Sequence, residues 1–259
     1  MLARVNAAGR YQSGPLVNID TAHRQGILHK GVWLHILSAD DALLLTRRAM
    51  TMKTCPGLLS IIGEHHNGRE SNDDCAGRAL SEEMPGLVKA YGPLNVQQLR
   101  SRPRWFLFDY PVEADNVPRY DRCLISEYVA RLPVNATDAL DAIERGHEHE
   151  REQEASSIEF VPLDALYKRL HHEPKSFCAR ELLPLALRDT VADIADIFGY
   201  PLRVKKRAGA LAGFAALPEE YDPSLVTRSA KAGARLKGFR EGWEPQRISR
   251  AEAEAVGWL

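Results

Sequence analysis

The chain has 259 residues, of which 44% are hydrophobic and 27% charged, and its formal net charge is −1. This near-neutral balance excludes a general electrostatic attraction to nucleic acid or to anionic lipid. No apolar run approaches the roughly 20 residues needed to span a bilayer, so no membrane partner is expected. The length predicts one large domain, or one domain with an appendage, built around a sizeable core.

The N-terminal and cysteine patterns predict a cytoplasmic protein. The chain begins without the sustained apolar core of a secretory signal. Its cysteines lie far apart in the sequence, with no Cys-x-x-Cys pair: Cys55, Cys75, Cys123 and Cys178. Such scattering argues against a zinc site and is typical of a reducing compartment.

The first predicted elements form a hairpin followed by a loop and a helix. Residues 31–37 are a compact apolar strand, and residues 42–46 return as its partner after a turn. A Pro-Gly loop follows at residues 54–57. Ser71 or Asn72 can cap the next helix, because their side chains accept from free backbone N–H groups.

The middle of the chain alternates strands with polar connections. Residues 93–103 are predicted to be a connection with a short helix. Two strands are predicted at 105–110 and 123–130, separated by a proline-bearing polar loop. Residues 138–154 are dominated by charge and are interpreted as a solvated loop, with an active-site lid as the alternative.

The last third begins with a short strand at 158–161 and a helix at 162–170. A further helix is predicted over 178–198, with Pro184 interrupting it or lying near its start. Beyond residue 201 the chain is rich in arginine and lysine. We interpret this tail as an extension packed on the domain in preference to a basic arm for phosphate-rich ligands.

A motif within residues 42–86 resembles the Nudix superfamily. The family box reads Gly-x5-Glu-x7-Arg-Glu-U-x-Glu-Glu-x-Gly-U, where U is aliphatic. Five residues keep its spacing: Glu70, Arg78, Leu80, Glu82 and Glu83. Three positions depart from it, because Ala79 replaces a glutamate, Pro85 replaces the closing glycine, and Glu64 stands at the first glycine position.

The resemblance implies an α/β fold, namely a Nudix-type α/β/α sandwich with a mixed sheet and a C-terminal helical extension. We expect the Nudix domain to cover residues 18–200 and the extension residues 201–259. In the family, the box forms a loop, a helix and a loop that hold a divalent metal against a diphosphate. The implied cofactor is therefore Mg²⁺ or Mn²⁺.

The box assigns candidate roles to individual residues. Glu70, Glu82 and Glu83 are the expected metal ligands, since hard divalent ions prefer carboxylate oxygens. Glu82 and Glu83 are also expected to be catalytic. Helical spacing places positions 79, 82 and 83 on one side of the helix, so Ala79 leaves two carboxylates where other family members cluster three.

Three further assignments concern the base and the phosphates. Glu154, just before the closing strand, is the preferred distal base for activating water. Arg47, Arg48 and Arg78 are the expected binders of the diphosphate, because guanidinium groups match phosphate oxygens. Arg78 could also brace Glu82, four residues further along the helix. The neighbours of Glu154 are secondary candidates: His147, His149, Glu150 and Glu152.

Within the superfamily, residues 20–88 most resemble proteins related to type 1 isopentenyl-diphosphate isomerase. That branch has two histidines before the first core strand, matched here by His23 and His29, and His65 could match its loop histidine. The three could gather into a metal site, although each could equally be structural. The isomerase also needs a cysteine where this chain has Ile62 or Gly63.

The leading functional hypothesis is metal-dependent hydrolysis of a small-molecule diphosphate derivative. Two alternatives remain open: an isomerase-like enzyme, and a non-catalytic module that binds a ligand or partner, which the absence of glutamate at Ala79 favours. Nucleic acid is not an expected partner, with capped RNA kept as a possible substrate. The sequence does not indicate the oligomeric state.

Overall fold

The computed structural model describes residues 1–202 apart from 7–8, 53, 100–103, 111–118, 147–153 and 179–181, and beyond them residues 214–216, 227–228 and 246–247. The helices in these residues are α1 (Ile19–Gln25), α2 (Asn72–Glu83), α3 (Pro85–Tyr91), α4 (Ala136–Gly146), α5 (Leu163–His172) and α6 (Leu182–Ile197). No helix in the described part of the chain is long and apolar enough to cross a bilayer.

The strands in the described residues are β1 (His29–Leu37), β2 (Ala42–Arg48), β3 (Leu59–Ser60), β4 (Ile62–His65), β5 (Val96–Gln98), β6 (Arg104–Tyr110), β7 (Arg119–Arg131), β8 (Ala155–Pro162), β9 (Phe214–Ala216), β10 (Thr227–Arg228) and β11 (Gln246–Arg247). The main sheet has the order β3-β2-β1-β7-β6-β9, with β4 paired to β1, β5 to β7 and β8 to β2. β1 and β7 are parallel and the other pairs are antiparallel. The sheet is therefore mixed, as predicted.

Helices cover both faces of the sheet. Alternate residues of β1 point to opposite faces, so Val32 and Leu34 belong to one apolar cluster and Trp33 to the other. The first cluster receives buried residues of α2, α3 and α4, and the second receives those of α5 and α6. A central strand covered on both faces is apolar on both. The result is the predicted α/β/α sandwich.

Helix α2, which carries most of the box, begins as the sequence predicts. Ser71 is its N-cap, with extended backbone, and its Oγ accepts from the backbone N–H of Asp74 over 3.1 Å. The buried face of α2 consists of Cys75, Ala76, Ala79 and Leu80. These residues pack α2 against the sheet. The polar side of the helix carries Arg78, which reaches β4.

Two local predictions were wrong. Residues 136–146 form α4 instead of a charged loop, because Ala139, Ala142 and Ile143 are buried at helical spacing among many charged neighbours. Residues 96–98 form strand β5 against β7 instead of a short helix. After the box helix, Pro85 starts α3 at its first turn, where its missing N–H costs nothing.

The cysteine pattern did not predict the disulfide that the structure contains. Cys55 and Cys178 form a disulfide across a sequence separation of 123 residues, with Cα atoms 5.2 Å apart. Cys75 and Cys123 are free and buried. The sequence did not indicate this pair, because the two cysteines are far apart along the chain. They meet only when the loop that follows β2 packs against the segment that precedes α6.

Candidate active site

Arg78 is the centre of the polar network on α2. Its Nη2 donates to Glu70 Oε1 over 2.7 Å, and its Nη1 donates to Glu82 Oε2 over 2.9 Å. Nη2 also donates to the backbone carbonyl of His65 over 2.8 Å, and Nη1 lies 3.5 Å from Glu64 Oε1. Arg78 thus ties the box helix to β4 and to the loop between them.

Glu70 is occupied by structural contacts. Besides Arg78, its Oε1 accepts from the backbone N–H of Asn67 over 2.5 Å. Burial alone would raise the pKa of Glu70, but the hydrogen bonds from Arg78 and Asn67 outweigh burial and lower it. The carboxylate predicted as a metal ligand is therefore placed to hold the loop in shape. Arg78, predicted to bind phosphate, is engaged by carboxylates in the same way.

Glu83 lies half-buried in a group of carboxylates. Burial raises its pKa to about 7, and the charges of Glu154, Glu64 and Glu82 add to the increase, while Arg48 opposes it. Glu82 is exposed. Glu154, the predicted distal base, is exposed at the start of β8, where its backbone carbonyl accepts from the N–H of Ala49 over 2.8 Å.

Glu64 was not among the predicted site residues. It is held at the end of β4, where its Oε1 accepts from the backbone N–H of His65 over 2.9 Å. Burial raises the pKa of Glu64, and Arg78 partly offsets the increase. The sequence signal was the replacement of the first box glycine by an acid.

Ala79 does not share the environment of Glu82 and Glu83. It is fully buried in the apolar cluster between α2 and the sheet. Residues three and four apart are neighbours on a helix. Ala79, however, is on the face of α2 that packs against the sheet. Ala79 is therefore buried, whereas Glu82 is exposed and Glu83 half-buried, although the three positions are neighbours on the helix.

The two arginines at the end of β2 have different surroundings. Arg47 Nη1 donates to the carbonyl of Gly57 over 2.9 Å and so braces the Pro-Gly loop. Arg48 Nε donates to the carbonyl of Thr54 over 2.9 Å. Arg48 also lines a cavity of about 160 Å³, and it lowers the pKa of Glu83. Of the two, Arg48 is the better placed to meet a ligand.

A second cluster of side chains that could hold a metal ion adjoins that cavity through His65, Asp121 and Cys123. His23, His29 and His65 each offer a nitrogen, and these atoms lie within 4.8 Å of one another. His29, Asp121 and Cys123 form an overlapping set with the same property. The three predicted histidines are therefore brought together from α1, β1 and β4.

Strand register explains this convergence. His29 pairs directly with Cys123 on the parallel strands β1 and β7, and Gly31 pairs with His65 on β4. A Cβ at Gly31 would lie 2.8 Å from the carbonyl oxygen of Glu64 and 2.9 Å from Cys123 Sγ. Glycine at position 31 thus lets the three strands carry their functional side chains close together.

The cluster has the electrostatics of a cation site. Burial lowers the pKa of His65 to about 3, with a further contribution from His29, so His65 is neutral at physiological pH. Burial would raise the pKa of Asp121, but His23, His29 and His65 reverse this and lower it. His29 Nδ1 contacts the carbonyl of Ile27 at 2.8 Å, which leaves Nε2 facing Asp121 Oδ1 at 3.4 Å. A neutral imidazole, as at His65, and an ionised carboxylate are the forms that bind metal.

The sheet order, the two helical layers and the braced box helix together decide the fold. It is a Nudix-type fold. Glu64 and His65 of β4 line the cavity, and Arg78 of the box helix reaches both residues. His65 follows Glu64 directly, so the group of carboxylates and the histidine cluster adjoin each other at β4.

The chain is similar in fold to several solved structures. DR0079 from Deinococcus radiodurans is 16% identical, with a TM-score of 0.49 over 74% of this chain and 96% of that one. A MutT protein from Methanosarcina mazei Go1 is 15% identical, with a TM-score of 0.41 over 66% and 95%. The Ap4A hydrolase of C. elegans is 12% identical, with a TM-score of 0.35 over 65% and 97%.

No protein-family model matches the chain, and no curated protein matches it significantly. The secondary candidates His147, His149, Glu150 and Glu152 lie outside the described residues, as does most of the basic tail. Asp121 and Cys123 were missed as site residues, since nothing in their local sequence marks them. Only the pairing of β7 with β1 places them beside the histidines.

Proposed function

We propose that this chain is a divalent-metal-dependent hydrolase of a small molecule that contains a diphosphate linkage. The observation that supports this most directly is the position of Glu83, half-buried and surrounded by the charges of Glu64, Glu82 and Glu154. Clustered carboxylates repel one another unless a cation lies among them. Glu82 and Glu83 belong to the box helix, and Glu64 lines the cavity.

The residues fit magnesium or manganese. Glu82 and Glu83 offer oxygen ligands, the type that these hard ions prefer, and Glu64 supplies a third carboxylate from β4. The ion would neutralise the diphosphate and orient the attacking water. Glu64 thus takes the place of the carboxylate that is missing at Ala79. Strand β4 supplies this carboxylate instead of helix α2.

The remaining residues have separate roles in this proposal. Glu154 is the base that accepts a proton from water, because it is exposed and its charge acts on Glu83. Arg48 faces the cavity and meets the phosphate oxygens. Arg78 and Glu70 hold the loop and helix in register, and Arg47 holds the Pro-Gly loop.

The histidine cluster is proposed to hold a second cation. Its donors are imidazole nitrogen, one carboxylate from Asp121 and the thiol of Cys123, whose Sγ lies 3.8 Å from His65 Nδ1. Nitrogen and sulfur donors suit zinc and similar transition ions better than magnesium. The two cation sites would therefore differ in the ions they select.

One observation favours an isomerase-like reaction as the second candidate. The histidines converge as that resemblance implied. Shifting a double bond needs a proton donor and an acceptor on opposite sides of the substrate, yet Gly63 offers no side chain at the predicted cysteine position. A Cβ there would lie 3.3 Å from Cδ1 of Trp33, so the indole leaves little room for one. Hydrolysis is the better supported function.

The test is a substrate panel assayed with and without Mg²⁺ or Mn²⁺. It includes nucleoside diphosphate derivatives, dinucleoside polyphosphates, capped RNA and prenyl diphosphates. We expect metal-dependent cleavage of at least one member, and its loss in Glu83→Gln. Isomerisation of a prenyl diphosphate would support the second candidate. A folded protein that turns over no member would instead support a non-catalytic binding module.

A further inference from the structure

The disulfide Cys55–Cys178 joins two segments that contribute to the walls of the cavity. One wall is the end of β2 and the loop behind it, which contribute Arg48 and Thr54 to the lining. The other is the segment leading into α6, which contributes Cys178 itself and Leu183. The bond therefore lies in the boundary of the space where the proposed substrate binds.

Cys55 is tied to the residues that face the cavity. Arg48 donates to the carbonyl of Thr54, the residue before Cys55. Cys55 has a positive φ of 53°, a conformation that residues other than glycine rarely adopt and that stores strain. Breaking the disulfide allows this loop to relax, and the relaxation reaches Arg48 through Thr54.

The two walls keep other connections when the disulfide is absent. Cys178 N–H donates to the carbonyl of Leu59 over 2.6 Å, and Phe177 bridges Leu59. Helix α6 remains held by its buried apolar residues, among them Leu187, Val191 and Ile194. These contacts hold the two segments together independently of the disulfide.

The disulfide meets the cavity at Cys178. Cys178 lines the cavity, so a reductant that enters the cavity has access to this side of the bond. Cys75 and Cys123 are free and buried, and Cys123 lines the same cavity.

We propose that Cys55–Cys178 is a redox latch that sets the shape of the substrate cavity. A thiolate of the reductant attacks Cys178 Sγ, and Cys55 leaves as a thiolate that takes up a proton. A second reductant thiol resolves the mixed disulfide, so the protein gains two electrons and two protons and the two reductant thiols become a disulfide. Closing the latch reverses these steps. The consequence for substrate binding rests on the proposed function, whereas the redox behaviour of the pair does not.

The first test uses the full chain in glutathione redox buffers. Alkylation followed by mass measurement gives the fraction of oxidised pair, and hydrogen exchange compares peptides from the cavity walls with those from α2. We expect reversible reduction of the folded protein and several-fold faster exchange at residues 49–58 and 177–183, with α2 unchanged. A pair that is reduced only when the whole domain unfolds, or walls whose exchange is unaltered, would refute the latch.

The matched control is the double variant Cys55→Ser, Cys178→Ser, which imitates the reduced state. It should show the fast wall exchange at every redox setting and no further response to glutathione. If the hydrolase assay identifies a substrate, reduction and the double variant should both raise KM several-fold with little change in kcat. A KM unaltered in both would overturn the effect on binding. Absence of any substrate would count against the proposed function and leave the redox result standing.

Discussion

The guanidinium of Arg78 holds the carboxylate of Glu70 at 2.7 Å. Both side chains are largely shielded from solvent, at 24% and 17% exposure, and Arg78 also reaches Glu82 and the carbonyl of His65. This pair fixes the distance between the box loop and the box helix. The predicted roles of Glu70 as a metal ligand and of Arg78 as a phosphate binder stay predictions, and in this structure the two side chains bind each other.

Replacing Arg78 tests this bracing role. Arg78→Lys keeps the charge but loses the forked geometry that serves several acceptors at once. We expect a loss of about 1–2 kcal/mol in the free energy of unfolding, measured by urea titration. The control Arg69→Lys, at an exposed arginine with one hydrogen bond to the carbonyl of Gln12, should cost less than about 0.5 kcal/mol. Equal stability of the two variants would contradict the bracing role.

Glu83→Gln should abolish metal-dependent turnover while the fold persists. The amide keeps the size of the side chain and removes the charge that would hold the ion. Calorimetry should show weakened Mg²⁺ binding, and circular dichroism should be unchanged. Glu144→Gln, at an exposed glutamate of α4, is the control and should behave like the wild type. Wild-type turnover in Glu83→Gln would place the metal site elsewhere.

The metal-free protein should lose stability as pH rises through about 7. The pKa of Glu83 is raised in the folded state from its ordinary value of 4.5 to about 7. The folded protein therefore retains a proton that the unfolded chain releases, and this contribution is present at low pH and lost above about 7. Thermal unfolding in a chelator between pH 5 and 8 measures the effect. Glu83→Gln should flatten the profile, and an equally steep profile in that variant would assign it to other groups.

Cobalt binding should reveal the thiol in the histidine cluster. Co²⁺ occupies sites of zinc type, and a thiolate ligand adds an intense ligand-to-metal absorption band. We expect that band in the wild type, its loss in Cys123→Ser, and its retention in Cys75→Ser, where the other buried free cysteine is removed. A band that persists in Cys123→Ser would remove the thiol from the proposed ligand set.

Ala79→Glu should destabilise the protein without adding a metal ligand. The new carboxylate would lie in the apolar cluster below α2, where an unpaired polar group costs about 1–3 kcal/mol. Gly77→Ala is the contrasting variant, because a Cβ at Gly77 meets nothing within 4 Å on the exposed side of α2. It should stabilise the protein by about 0.5–1 kcal/mol. Tighter Mg²⁺ binding by Ala79→Glu would show that position 79 reaches the ion.

The residues of the box determined a substantial part of this structure. Their spacing predicted a helix capped by Ser71 and an ion pair between Arg78 and Glu82, since both follow from contacts within a few residues of sequence. The apolar pattern of the hairpin predicted β1 and β2 for the same reason. The domain limits at residues 18 and 200 stay predictions, as do the roles assigned to Glu82, Glu83 and Glu154.

Tertiary structure alone decided which of the distant residues meet. The parallel register of β1 and β7 puts Cys123 beside His29, and the packing of α6 brings Cys178 to Cys55. The same packing buries Ala79 and leaves Glu64 to face the arginine of the box. Local sequence carries no record of such neighbours, because the energy of burying apolar surface depends on area and not on order along the chain. The short-range sequence pattern therefore determined helix α2, which carries Glu82 and Glu83. The packing of the sheet determined which side chains surround these two glutamates.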